Sequence, residues 1–148
     1  MPEHETESWA ERAQRVLTQS KYHSGAARQA LLELLDSQTC ALSAIEIETA
    51  LRAGKRPVGR ASIYRILDEL ERLQLVQKVQ VGQSMARYEP IRTGDGHHHH
   101  LVCDSCGTIV PFTDSGLEHA IHTLSSRVPM RVAEHEVVLH GACPDCAD

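Results

Sequence analysis

Apolar residues in the first half of the chain recur every three or four positions, the spacing of helices that bury one face. Residues 8–19 place Trp9, Ala13 and Val16 on one stripe. Ser24 is a cap candidate for a second helix through Ala30, Leu31, Leu34 and Leu35. Ser43 can cap a third carrying Ile45, Ile47 and Leu51, with Gly54 as its stop. After the turn Lys55-Arg56-Pro57-Val58-Gly59, a fourth helix is predicted over 60–73. Its buried stripe is Ile63, Ile66, Leu67, Leu70 and Leu73. Arg60, Ser62 and Arg65 lie off that stripe, near the helix start. Two short segments, 75–81 and 85–88, flank Gly82-Gln83-Ser84 as a hairpin does.

Helices with a turn-separated pair among them, followed by a hairpin, describe a winged helix-turn-helix. In that arrangement the fourth helix meets the major groove of double-stranded DNA with its first turn. A small helical domain with no nucleic-acid partner would show the same periodicity. Residues 89–96 gather Pro90, Gly94, Asp95 and Gly96, which is hinge composition. Beyond them the pattern changes to strands over 99–102 and 108–112, then a helix capped by Asp114 that runs to Arg127. That helix carries Leu117, Ala120, Ile121 and Leu124 on its apolar side, and a last strand is predicted over 130–140. The fold class is therefore α+β: a winged-helix DNA-binding domain (1–88), a hinge (89–96) and a small metal-binding dimerisation domain (97–148). The second domain has few apolar residues of its own, so a homodimer is expected.

Composition sharpens this. With 148 residues and only 3% aromatic content, two small domains have thin cores and need a staple such as a metal. No run of eighteen apolar residues offers a membrane span, and the acidic, polar start is unlike a secretory signal. A cytoplasmic location follows as an expectation, and in that reducing setting cysteines serve metals more often than disulfides. The net charge of −5 argues against a polyanionic partner until its distribution is examined. Residues 52–92 carry nine basic and four acidic side chains, net +5, between flanks of net −4 and −6. A local basic face of that kind attracts phosphate; a solvated mixed surface is the plainer alternative.

The strongest chemical signal is two Cys-x-x-Cys turns, Cys103/Cys106 and Cys143/Cys146. Each pair can reach one ion, and two pairs complete a tetrahedral zinc site with no open position, hence structural. A redox pair or unrelated core cysteines are the competing readings. Cys40 is left over and reads as a small apolar residue between helices. Next comes His97-His98-His99-His100, in mid-chain and leading straight into Leu101-Val102-Cys103. On a strand, His98 and His100 share one face and His97 and His99 the other. Glu89, Glu118 and His135 are placed to complete metal sites, and imidazole with carboxylate suits zinc, ferrous iron or manganese. A zinc hydrolase using Glu118 as base would need an open position and a pocket. The His-Glu-x-x-His spacing is missing, since His135-Glu136 is followed by Val-Val-Leu-His. A metal buffer that ignores DNA is the other rival, and the chain is read as no enzyme.

These residues resemble the ferric uptake regulator family of bacterial metalloregulators, over nearly the whole chain from Val16 to Cys146. The resemblance rests on Gly59-Arg60-Ala61-Ser62-Ile63-Tyr64-Arg65, on the block from His97 to Gly107, and on His135 with Gly141-Ala142-Cys143-Pro144-Asp145-Cys146. It implies a homodimer that grips a palindromic operator and represses metal-homeostasis genes, with a divalent ion as corepressor beside a structural zinc. By position it implies DNA contacts from Tyr64 and Arg65, in the helix that also carries Arg60 and Ser62. It implies a hinge-side regulatory site of Glu89, His98 and His100, and a second site of His97, His99, Glu118 and His135. Iron- and peroxide-sensing members offer a histidine ahead of the third helix; Cys40 and Ala41 stand there, so the hinge site's fourth ligand is left open. His23 stands where a basic residue reaches the minor groove. Three imidazoles and one carboxylate in the second site lean toward zinc, with iron next; an iron-dependent peroxide sensor is the alternative within the family.

Overall fold

The computed structural model describes residues 7–22, 25–38, 40–79, 85–92 and 97–147, and the chain divides into two compact units, 1–95 and 96–148. The expected wing tip (Gly82 to Ser84), Ser24, His23 and the hinge glycines Gly94 and Gly96 lie outside the described residues.

In the first unit, α1 (Trp9–Gln19) begins at a capping box: the Glu11 N–H donates to Ser8 Oγ at 3.2 Å, and the Ser8 N–H donates to the Glu11 carboxylate at 2.7 Å. Its buried stripe is Trp9, Ala13 and Leu17, one position on from the expected Val16, which is half-buried. The Trp9 indole N–H donates to the Leu75 carbonyl at 2.9 Å, fastening α1 beneath the wing. Next, α2 (Ala26–Asp36) starts at Gly25, whose lack of a side chain leaves this helix without a side-chain cap. A two-residue strand, β1 (Leu42–Ser43), precedes α3 (Ala44–Ala53). The Ser43–Glu46 capping box starts α3. Gly54 is its C-cap at φ −79°, but the left-handed turn falls on Lys55 at φ 60°.

The fourth helix, α4 (Arg60–Arg72), buries Ile63, Ile66, Leu67 and Leu70, the 3.6-residue stripe read from sequence. Arg28, buried in α2, pairs with Glu69 of α4 and joins the two helices. Strands β2 (Val76–Val79) and β3 (Arg87–Pro90) pair antiparallel, and β1 adds to the far edge of β3 to give the order β1-β3-β2. Two residues are too few for an alternating pattern, so β1 has no signature in the sequence.

The second unit is a three-stranded sheet in the order β5-β4-β6, made of β4 (His99–Cys103), β5 (Ile109–Phe112) and β6 (Val138–Gly141). Between β5 and β6 lies α5 (Ser115–Ser125), capped by Asp114, which accepts the Leu117 N–H at 2.7 Å. β4 pairs antiparallel with β5 and parallel with β6, so the chain must cross over through α5. The strand expected over 130–140 forms only at its end: 131–137 is irregular, and Met130 is 77% exposed. Its apolar spacing signalled burial that the isolated chain does not provide. No residue of α5 is buried either.

Candidate metal centres and nucleic-acid interface

Cys103 closes β4, Cys106 follows in the turn, and Cys143 and Cys146 occupy the turn after β6. Because β4 and β6 pair side by side, both turns emerge at one end of the sheet. Gly107, at φ 77°, takes the left-handed conformation that lets the chain fold back into β5. The four sulfurs lie within 4.8 Å of one another, and Cys106 and Cys143 are 3.8 Å apart. Zinc–thiolate bonds of about 2.3 Å in a tetrahedron place sulfurs about 3.8 Å apart, so the donor set fits zinc in chemistry and size.

The thiols are electrostatically unequal. N–H groups of Cys143 and Cys106 donate toward Cys103 and pull its pKa down to about 6. The Thr108 hydroxyl, 3.1 Å from Cys106 Sγ, lowers that thiol too. Cys146 is pushed up to about 12, chiefly by the Cys143 sulfur and then by those of Cys106 and Cys103, which hold its proton. Metal loading has to displace that proton. His140 Nδ1 lies 2.8 Å from Asp104 Oδ1 and joins β6 to the first turn.

A second donor set lies at the other end of β4. His99 Nε2 is 2.5 Å from Glu118 Oε1, while His135 and His97 approach Oε2 at 2.8 and 3.1 Å. His97 and His135 face each other Nε2 to Nε2 at 2.9 Å, and all four donors fall within 4.8 Å. Glu118 projects from the first turn of α5, and its carboxyl is held below the usual range, first by the His99 hydrogen bond. His99 is buried, and its Nδ1 accepts the Val137 N–H at 3.1 Å, which fixes the ring and leaves Nε2 toward Glu118. Three imidazole nitrogens and a carboxylate suit a borderline cation such as zinc.

His98 and His100 point to the opposite face from His97 and His99, their rings 4.9 Å apart between centroids, with His100 buried. In the first unit Glu89 is buried on β3 and accepts from Gln77 of β2. Cys40, ahead of β1, brings its sulfur within 4.8 Å of the Glu89 carboxylate. Sequence reasoning assigned Cys40 to packing. The unpredicted β1–β3 pairing is what draws it toward Glu89, and no local pattern encodes that approach.

On α4 the off-stripe residues face outward: Tyr64 is 42% exposed, Arg65 and Arg60 are exposed, and Ser62 is half-buried. Arg60 Nε donates to Glu48 Oε2 of α3 at 2.8 Å. Arg87 of β3 pairs with Glu46 at the start of α3.

A helical unit with a three-stranded wing, joined to an α+β unit rich in clustered thiols and imidazoles, defines the class of metal-responsive transcriptional regulators. Residues 19–140 match the Ferric uptake regulator family. The chain is 29% identical over 142 residues to the ferric uptake regulation protein of Bacillus subtilis, covering 95% of each chain. It is 40% identical over 98 residues to the transcriptional regulator FurA of Mycobacterium tuberculosis, covering 66% of this chain and 65% of that one. The solved structure of the Helicobacter pylori ferric uptake regulator, described as having three functional metal binding sites, superposes with a TM-score of 0.81. That match is at 25% identity and covers 95% of this chain and 92% of the other. The chain belongs to the ferric uptake regulator family. It is a metal-responsive transcriptional regulator and not an enzyme, and members of this family bind DNA operators as dimers.

Proposed function

We propose that this chain is a homodimeric repressor of metal-homeostasis genes that holds a palindromic operator when a divalent ion, zinc before iron, fills its regulatory sites. The observation that carries the reading is the alternation of four consecutive histidines that lead into β4. His97 and His99 join Glu118 and His135, and His98 and His100 face the other way. One histidine run thus serves two donor sets beside the four-cysteine staple, a count in keeping with the three metal sites of the H. pylori relative.

In this proposal Cys103, Cys106, Cys143 and Cys146 hold a structural zinc and keep the second unit folded. Glu89, with Cys40 beside it, and His98 with His100 form the regulatory set that spans the hinge (89–96), while His97, His99, Glu118 and His135 form the second site. When bound, the regulatory ion supplies a common coordination centre. The residues do the rest: donors at both ends of the hinge favour one arrangement of the DNA-binding domain (1–88) over the others open to the apo chain. Moving such an equilibrium from mostly open to mostly closed takes about 5 kcal/mol of differential affinity, within reach of several ligand bonds. Arg60, Ser62, Tyr64 and Arg65 then read and grip the duplex in the major groove. The thiol of Cys40 and the third imidazole at the second site support zinc.

The test is operator binding titrated with buffered zinc, iron and manganese. Wild-type protein is expected to bind at the lowest free zinc, and His98→Ala with His100→Ala to abolish the metal dependence. Metal-dependent binding that survives the double substitution would overturn the assignment.

A further inference from the structure

Beneath the start of α4, one carboxylate organises two cations. Glu48 lies in α3, mostly covered, its side chain 17% exposed. Oε1 accepts from Arg52 Nη2, one helical turn on, at 3.0 Å, and Oε2 accepts from Arg60 Nε, across the turn to α4, at 2.8 Å. Both carboxylate oxygens are thereby used. The arginines themselves remain 71% and 54% exposed. Among the described residues Arg60 is gripped through Nε alone, which leaves both terminal nitrogens of its fork for another acceptor. A planar fork held in that way is the group that takes a phosphate.

We propose that Glu48 is a positioning residue for DNA binding, which sets Arg60 and Arg52 as a pair of oriented clamps on the DNA backbone phosphates that flank the groove entered by α4. This rests on the reading that α4 meets the operator. It adds Arg52, a residue of the preceding helix, to the binding surface, and it gives an acidic residue a favourable part in holding a polyanion. Free arginines on a surface sample many rotamers, and freezing them on a phosphate costs entropy. A mostly covered carboxylate meets that cost in advance. The Glu48 carboxyl is held below its usual range, first by the Arg60 hydrogen bond.

The sign of one substitution separates this from simple charge effects. Removing a negative charge near DNA strengthens binding on electrostatic grounds alone. If Glu48 orients the clamps, E48A weakens operator binding about tenfold, the scale of a charge-assisted hydrogen bond. The slope of log affinity against log salt also shrinks by about 1 for each phosphate that the protein ceases to neutralise. The experiment uses the full-length, zinc-loaded protein and a duplex that the wild type selects from a randomised pool, with E48A, R52A/R60A and the triple variant compared. Expected are a weaker, less salt-dependent E48A and a triple variant no worse than R52A/R60A. Thermal melting checks folding, and E48Q, which keeps the size, replaces E48A if the latter melts early. An E48A protein that binds as tightly as wild type or tighter overturns the proposal, as does a loss that persists undiminished on the R52A/R60A background. Operator binding unchanged in Y64A and R65A would instead sink the α4 reading itself, and this inference with it.

Discussion

Four thiols within 4.8 Å of one another repel as thiolates, and a bound cation relieves that repulsion. Neighbouring backbone N–H groups pull the Cys103 pKa down, and the surrounding sulfurs push that of Cys146 up. An ion held by these sulfurs displaces thiol protons and should bind more weakly in acid. Cys103→Ser removes one of the four sulfurs, the one that closes β4. It is expected to lose the structural zinc and loosen the second unit, checked by metal analysis and near-ultraviolet circular dichroism. A variant that keeps a full complement of zinc and native spectra would contradict the assignment. The same residue-level view separates legible chemistry from hidden chemistry. The cysteine pairs and the histidine run declare themselves because ligand spacing is local. Cys40 does not, because its significance is a partner 49 positions away on β3.

Among the elements, α3 is the one on which both the wing and the DNA-facing helix lean. Its Ser43–Glu46 capping box is local enough to be read in sequence, but the structure adds Arg87, which pairs with both oxygens of Glu46 at 2.8 Å. Burial alone would raise the Glu46 pKa; the Ser43 N–H and Arg87 outweigh it, and the carboxyl ends below its usual value. Folded below unfolded, the shift stabilises the protein above the ordinary glutamate range, and that contribution fades as pH falls through the folded value. Ser43→Ala is expected to cost about 1 kcal/mol in urea denaturation at neutral pH. Glu46→Gln should be less stable than wild type at pH 7, with the two midpoints converging in acid; parallel midpoints at every pH would count against this ion pair. The strand expected over 130–140 fails on the same scale for a related reason. Apolar periodicity reports that a segment will be covered, not which chain covers it.

For the molecule as a whole, the second unit leaves apolar surface that a monomer would not be expected to keep. Leu101 stands in register between Val110 of β5 and Leu139 of β6, all three 40–51% exposed along one face of the sheet. They line a cavity of about 280 Å³ with Ala142 and Pro144, and on α5 Leu124 is 59% exposed. Contiguous patches of this kind mark association surfaces, and regulators of this family bind operators as dimers. Leu139→Glu would bury an unpaired charge in such an interface, so its dimer dissociation constant should rise about tenfold or more. Sedimentation reads that directly, and an unshifted dimer would place the interface elsewhere.

What the amino-acid sequence determined alone is what depends on neighbours within a few positions: the helices of the first unit, the capping boxes, the thiol knuckles, and which histidines share a face of β4. Those follow from periods of 3.6 and 2, which backbone geometry imposes wherever the residues lie. The tertiary structure decided the pairings at long range. The addition of β1 to β3 drew Cys40 to Glu89, the parallel joining of β4 to β6 brought the two cysteine turns together, and the packing of α3 on α4 put Glu48 under Arg60. Pairings between distant positions arise only when the chain closes large loops around a shared core, and no local spacing records which of them the core will favour.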